Sequence, residues 1–356
     1  MQDVIRQSDR VAASVWQYSR YFSPVVSPEF QLSLGEGGTR LEHVTEWGET
    51  SDRITLYVKR EDENPHGSFK DRSLAYRISL ARQQRETLLV LSSSGNAGCS
   101  AAAYCAAARI PLLLFLSPDT PSAKLAEIAL AQQTYADIRV VLSRRAMRLA
   151  NYASAALQAV NIRPSLDDFS LPGYATLAYE LQEQLPEGID HLFSFATSDS
   201  SLLGMGQGWQ DLLARGVIKH LPALHAVQTK GSIASFFDKE RFSAEHSDNL
   251  GISRSRREQT VVQLIRESVG SGWYVLPDEM AAEQAELNER GIITSWEGAA
   301  VLSAVKRALQ TGCLSGRAVA IFSGKHRTET PVDINSYPQI ESIPDLEAYL
   351  HRTFPR

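Results

Sequence analysis

Lys70 lies in the run Asn64-Pro65-His66-Gly67-Ser68-Phe69-Lys70-Asp71-Arg72, just after a turn and at the head of a helical pattern. The unpaired N–H groups and positive dipole end of a helix disfavour an extra cation there, which favours a neutral amine. Schiff-base chemistry requires such an amine. A lysine in a first helical turn is also, in most proteins, simply a solvated residue. Two other stretches could hold anions. In Ser92-Ser93-Ser94-Gly95-Asn96-Ala97-Gly98, small residues leave backbone N–H groups able to face a carboxylate at a helix start, although they equally permit close helix packing. Thr197, Ser198, Asp199, Ser200 and Ser201 join a strand to a helix in the manner of a phosphate cradle. Their hydroxyls can donate to phosphate, whereas Asp199 would repel a dianion unless it points away or caps the helix. Arg254, Arg256 and Arg257 form a basic cluster that is either a solvated face or the holder of a second acidic group on a substrate.

The elements that must position these residues follow from hydrophobic period and turn residues. Ile54 to Val58 reads as a strand, and Leu74, Ile78 and Ala81 recur at helical spacing after Ser68, a good N-cap that Asp71 can reach back to. Leu88–Leu91, an alanine-rich helix and Leu112–Leu116 make a β-loop-α-β unit. Helix 123–133, strand 138–142 and helix 146–159 continue it. Strands at 192–196, 224–229, 273–276 and 318–322, with helices at 277–290 and 292–306, complete an α/β pattern of parallel, helix-covered sheets. A helix over Val11–Tyr21 precedes a proline-punctuated connection, the glycines at 35, 37 and 38 predict a tight turn, and the tail from Thr330 carries no motif.

The segment NPHGSFKDR closely resembles the NPTGSFKDR segment of threonine synthases, pyridoxal-phosphate (PLP) enzymes of fold type II, the tryptophan-synthase-β-like class. SLGEGGTRLEHV, from Ser33, is similar to that family's SLGEGxTPL entry segment, with Arg40 replacing proline. The resemblance implies that Lys70 carries the cofactor. It implies that Ser93, Ser94, Gly95 and Asn96 hold the substrate's α-carboxylate, with Asn96 also bonding the cofactor's phenolic oxygen. Thr197, Ser198, Ser200 and Ser201 inherit the cofactor-phosphate loop, where the family usually has several glycines. Ser323, in Ser323-Gly324-Lys325-His326, inherits the contact to the pyridine nitrogen, and Arg254 and Arg256 are candidates for substrate binding. Leu171-Pro172-Gly173-Tyr174-Ala175-Thr176 with Glu180 is similar to the family's return segment, without its leading Glu and its Lys. Glu297-Gly298-Ala299-Ala300 resembles the helix start bordering the cofactor ring, though Glu297 equally suits a dipole-stabilised first turn. His326 stands where the family has glycine.

The implied fold is two doubly wound parallel-sheet domains, a large PLP-binding one of residues 1–74 and 166–356 and a small mobile one of 75–165 inserted in it. A chain of 356 residues, 43% hydrophobic, can bury such cores. With 41 acidic and 36 basic side chains there is no field favouring nucleic acid or an anionic membrane. Three cysteines without metal-ligand spacing fit free thiols in a reducing, cytoplasmic setting, and Cys99 and Cys105 read as helix packing residues. The expected activity is threonine synthase-like lyase chemistry, O-phosphohomoserine to threonine plus phosphate, in a homodimer acting on a small amino acid, with no metal. The alternatives are a β-replacement enzyme of cysteate or 2,3-diaminopropionate type, a serine or threonine dehydratase, and a non-catalytic relative that binds an amino acid.

Overall fold

The computed structural model describes residues 14–44, 54–229, 232–238 and 256–354. In chain order the strands are β1 (Leu41–His43), β2 (Ile54–Lys59), β3 (Leu89–Ser92), β4 (Leu112–Leu116), β5 (Ile138–Leu142), β6 (Val160–Asn161), β7 (His191–Phe195), β8 (Ala223–Gln228), β9 (Ser271–Tyr274) and β10 (Gly316–Ile321). The helices are α1 (Lys70–Gln83), α2 (Asn96–Ala108), α3 (Ser122–Thr134), α4 (Ala146–Leu157), α5 (Leu171–Gln184), α6 (Ser200–Ala214), α7 (Glu258–Glu267), α8 (Pro277–Glu289), α9 (Trp296–Gln310) and α10 (Ile343–Thr353). By internal packing the chain divides into two compact units, one of Met1–Glu36, Lys70–Ser170 and Arg327–Arg356, the other of Gly37–Phe69 and Leu171–His326.

The first unit is built on four parallel strands in the order β5-β4-β3-β6. Its strands are covered on both sides, which is why Leu112–Leu116 is apolar and buried at every position. Alternate residues serve opposite faces. Leu89, Leu91, Leu112 and Leu114 join a core with α1, α2 and α3, while Val90, Leu113, Phe115 and Val141 join one with α4 and α10. The unit extends beyond the 75–165 span read from the sequence because both flanking segments supply packing. Trp16 and Phe22 lie against Tyr76 of α1, and Leu346 and Leu350 of α10 are buried on the second face. The tail from Thr330 thus contains a helix, capped by Ser342, whose hydroxyl accepts from the Asp345 N–H. At the other end, the helix expected over 11–21 is a 3-10 helix over Val15–Tyr21; residues 11–13 lie outside the described residues.

Helix α1 starts at Lys70, and Ser68 is not its cap. The Ser68 backbone is instead engaged in an antiparallel bridge with Gly324, and its hydroxyl is buried without a hydrogen bond. From Asp71 to Ala81 every residue of α1 is buried, so the helix is enclosed all round rather than amphipathic.

The second unit carries six strands in the order β1-β2-β10-β7-β8-β9, parallel except for the β1–β2 pair. Phe193, Val227, Ala318 and Ala320 pack with Ala300, Val301, Ala304 and Ala308 of α9. Helices α5 and α6 approach so closely that a Cβ on Gly204 would lie 2.7 Å from the Leu171 carbonyl oxygen, and one on Gly208 2.6 Å from that of Ala175. Gly204 is therefore a packing glycine, not part of an anion loop. Buried Lys59 is ion-paired with Glu180 and donates to the Thr39 carbonyl (2.6 Å) and Gln184 Oε1 (2.8 Å), while Glu180 Oε2 accepts from the Gly38 N–H (3.0 Å). This network fixes the glycine turn to β2 and α5.

Candidate functional site

In the first unit the Ser93–Asn96 loop leaves the carboxyl end of β3 and opens α2, the position where open α/β sheets bind ligands. The loop's Gly95 and the first-turn Gly98 of α2 have different duties. A Cβ on Gly98 would lie 2.3 Å from the Ser93 carbonyl oxygen, so Gly98 serves close packing. A Cβ on Gly95 would meet only Ser93 Oγ, at 3.8 Å, which leaves open space above the helix start. Ser93 Oγ accepts from the Gly95 N–H (3.3 Å) and Ser94 Oγ from the Ser117 N–H (2.7 Å), so both hydroxyls shape the loop while keeping a proton to donate. Lys70 is half-buried at the first position of α1, ahead of fully buried Asp71 and Arg72.

Two arginines that the sequence does not single out complete this cluster. Arg327 donates from Nη1 to Asn96 Oδ1 (2.9 Å) and pairs with Glu127 (3.1 Å). An arginine has only donors, so this bond assigns the oxygen of Asn96 to Arg327 and turns its NH2 toward another acceptor. Arg163 follows β6, the neighbour of β3, and donates to Ser92 Oγ (3.2 Å). Its guanidinium is pushed down from the usual arginine value by burial alone, and no carboxylate is paired with it among the described residues. Behind the loop, Glu36 is buried and accepts from Tyr104 Oη (2.6 Å) and the Leu34 N–H (2.9 Å), with its carboxyl held above the usual range by burial. Cys99 and Cys105 are buried in the α2 core, and burial pushes the Cys99 thiol up to about 12, so neither is a poised nucleophile.

In the second unit Thr197 is exposed, Ser198 half-buried, and Asp199, Ser200 and Ser201 are buried at the start of α6. Asp199 is the N-cap residue with φ +62°, a left-handed conformation that glycine usually supplies, and its side chain makes no cap bond to the helix. Arg257, ahead of α7, is 4% exposed and donates from Nη1 to Ser200 Oγ at 2.6 Å. Arg256 is exposed, and Arg254 lies outside the described residues. Ser323 is buried at the end of β10, where its carbonyl accepts from the N–H of Phe69 (3.3 Å), the residue before Lys70. The Gly324 carbonyl accepts from the Ser295 N–H (3.1 Å). Ser68 and Ser295, which meet Gly324 through their backbones, have buried hydroxyls with no hydrogen bond, as has Thr294, whose Oγ1 lies against Gly298. Each such group costs about 1–3 kcal/mol unless a ligand satisfies it. Glu297 is half-buried in the first turn of α9, and His326 is exposed.

A family model described as pyridoxal-phosphate dependent enzyme matches residues 32–324. Threonine synthase of Methanosarcina acetivorans is 24% identical over 346 residues, covering 92% of this chain and 84% of the relative. Threonine synthase of Methanocaldococcus jannaschii is 26% identical over 327 residues, covering 87% and 79%. Among solved structures, maize serine racemase superposes with a TM-score of 0.64 at 18% identity over 88% of this chain and 92% of that one. O-ureido-L-serine synthase does so with 0.63 at 16% identity over 81% and 89%. At these identities the structural likeness is one of fold.

Proposed function

Because the chain belongs to the pyridoxal-phosphate dependent enzyme family, we propose that it eliminates or replaces a group at Cβ or Cγ of a small amino acid, threonine synthase-like, with a phosphorylated substrate such as O-phosphohomoserine. The residues suit the cofactor. Ser68 and Ser295, both meeting Gly324 through their backbones, carry buried unbonded hydroxyls, and a helix start carries a positive-φ residue and a buried arginine beside it, which fits a ring with polar substituents and a phosphate. When bound, the cofactor supplies an electron sink that makes the substrate's Cα–H acidic.

Lys70 Nζ would hold that group and, as a free amine, would take up the Cα proton. The Asn96 N–H receives the α-carboxylate in the space left open at Gly95, and the Asn96 NH2, its oxygen being held by Arg327, donates to the phenolic oxygen. Ser93 and Ser94 border the same carboxylate. Ser323 offers a neutral hydroxyl to the ring nitrogen, which suits elimination and replacement. Thr197, Ser198, Ser200 and Ser201 receive the cofactor phosphate. Arg163 holds the substrate's second anion, and it is this half-buried cation beside the Ser93–Asn96 loop that favours a phosphorylated amino acid over serine or threonine. For O-phosphohomoserine, phosphate departs from Cγ and water adds at Cβ, giving threonine and phosphate.

Borohydride reduction followed by peptide mass spectrometry should find a pyridoxyl adduct on Lys70, and Lys70→Ala should abolish it together with turnover. Incubation with O-phosphohomoserine should release threonine and phosphate in equal amounts. Phosphate release without threonine removes the threonine synthase reading. Pyruvate from serine, or transfer of an added nucleophile onto O-phosphoserine, establishes the dehydratase or the β-replacement enzyme in its place.

A further inference from the structure

The loop between β7 and α6 poses an electrostatic problem. Its positive-φ turn, the backbone feature that lets successive amides converge on an anion, is made by Asp199 instead of glycine, and Asp199 is 3% exposed. A phosphate dianion beside a buried carboxylate is unfavourable unless a fixed cation offsets both charges. The cation in position is Arg257, whose guanidinium reaches across from the residue preceding α7 to Ser200 Oγ at 2.6 Å. Ser200 Oγ in turn lies 3.2 Å from the Ser198 carbonyl and 3.3 Å from Ser198 Oγ, so the arginine and the two loop hydroxyls form one connected group. Guanidinium is the side chain best matched to phosphate, with donors in a planar fork.

We propose that Arg257 is a cofactor-phosphate ligand, supplying by charge what glycine amides supply in loops that lack an aspartate. This rests on the reading of 197–201 as the phosphate loop. It gives the sequence's basic cluster a divided role, in which buried Arg257 serves the cofactor and exposed Arg256 does not.

The test compares pyridoxal phosphate with pyridoxal, which lacks the phosphate, by titrating each into cofactor-free protein and following absorbance. Arg257→Gln should weaken pyridoxal phosphate by roughly 30-fold or more while changing pyridoxal little, and Arg257→Lys should restore part of the difference. Asp199→Asn should act oppositely and tighten pyridoxal phosphate several-fold relative to pyridoxal. If Arg257→Gln weakens both ligands equally, or neither, while Asp199→Asn still shifts their ratio, the arginine is only a structural support and the proposal falls with the loop reading intact. If neither variant shifts the ratio, the loop reading falls as well. Thermal melting of the Lys variant against the parent identifies any loss due to misfolding.

Discussion

A methyl group added at residue 98 collides with the Ser93 carbonyl, whereas one added at residue 95 enters open space. Gly98→Ala should therefore destabilise the protein by about 1–3 kcal/mol and raise KM for the amino acid by displacing the loop. Gly95→Ala should leave the melting temperature unchanged and still weaken the amino acid, because its methyl group occupies the space assigned to the α-carboxylate. Equal melting temperatures with unchanged KM would remove the loop from the substrate site. Arg163→Gln should raise KM for phosphorylated amino acids at least tenfold and that for serine little, as steady-state kinetics on both would reveal. Lys70 and Asn96 were marked as candidates by the sequence because each lies inside a short local pattern. Arg163 and Arg327 were not, since their partners Ser92 and Asn96 are 71 and 231 positions away and nothing local marks them.

Strand and helix boundaries were largely readable from period alone, but the pairing of side chains across strands was not. His225 of β8 stacks on Phe193 of β7 at 4.1 Å and accepts on Nδ1 from Trp273 Nε1 of β9 (3.0 Å), which puts its proton on Nε2, 3.1 Å from His191 Nδ1. Burial pushes His225 down to about 3, with neighbouring His191 adding to it, and burial lowers His191 also. The unfolded chain takes up these protons as pH falls through the ordinary value of 6.5, while the native state resists. Stability from this cluster is thus complete above that value and is lost progressively toward pH 3. His225→Phe, which leaves the Trp273 N–H without its acceptor, should melt lower than the parent near pH 7, with the gap closing near pH 5; a gap independent of pH would refute the assignment. At the α5–α6 contact, Gly204→Ala should cost about 1–3 kcal/mol in denaturant unfolding because the neighbouring backbone cannot yield. The Ser68 cap failed for a reason invisible in the local sequence, since a bridge to Gly324, far along the chain, claims that backbone first. Helix α10 was readable but unread, as Ser342 with Asp345 is a capping pattern and Leu346 and Leu350 recur at helical spacing.

Across the molecule, the α/β class and parallel sheets emerged from alternating strand and helix signals, while the membership of each unit depended on contacts between distant segments. The first unit draws on three stretches of chain, and α10 closes one face of its sheet with Leu346 and Leu350. Deleting residues 342–356 should expose that face, and loss of two buried leucines removes roughly 3–6 kcal/mol. The expected result is a lower melting temperature and dye binding to exposed apolar surface; an unchanged melt would show that the helix is dispensable. During synthesis the same arrangement has a temporal side. Val90, Phe115 and Val141 emerge from the ribosome long before the segment that shelters them, so the nascent chain must carry an unfinished apolar wall through most of translation. That interval is when a chaperone has most to offer this protein.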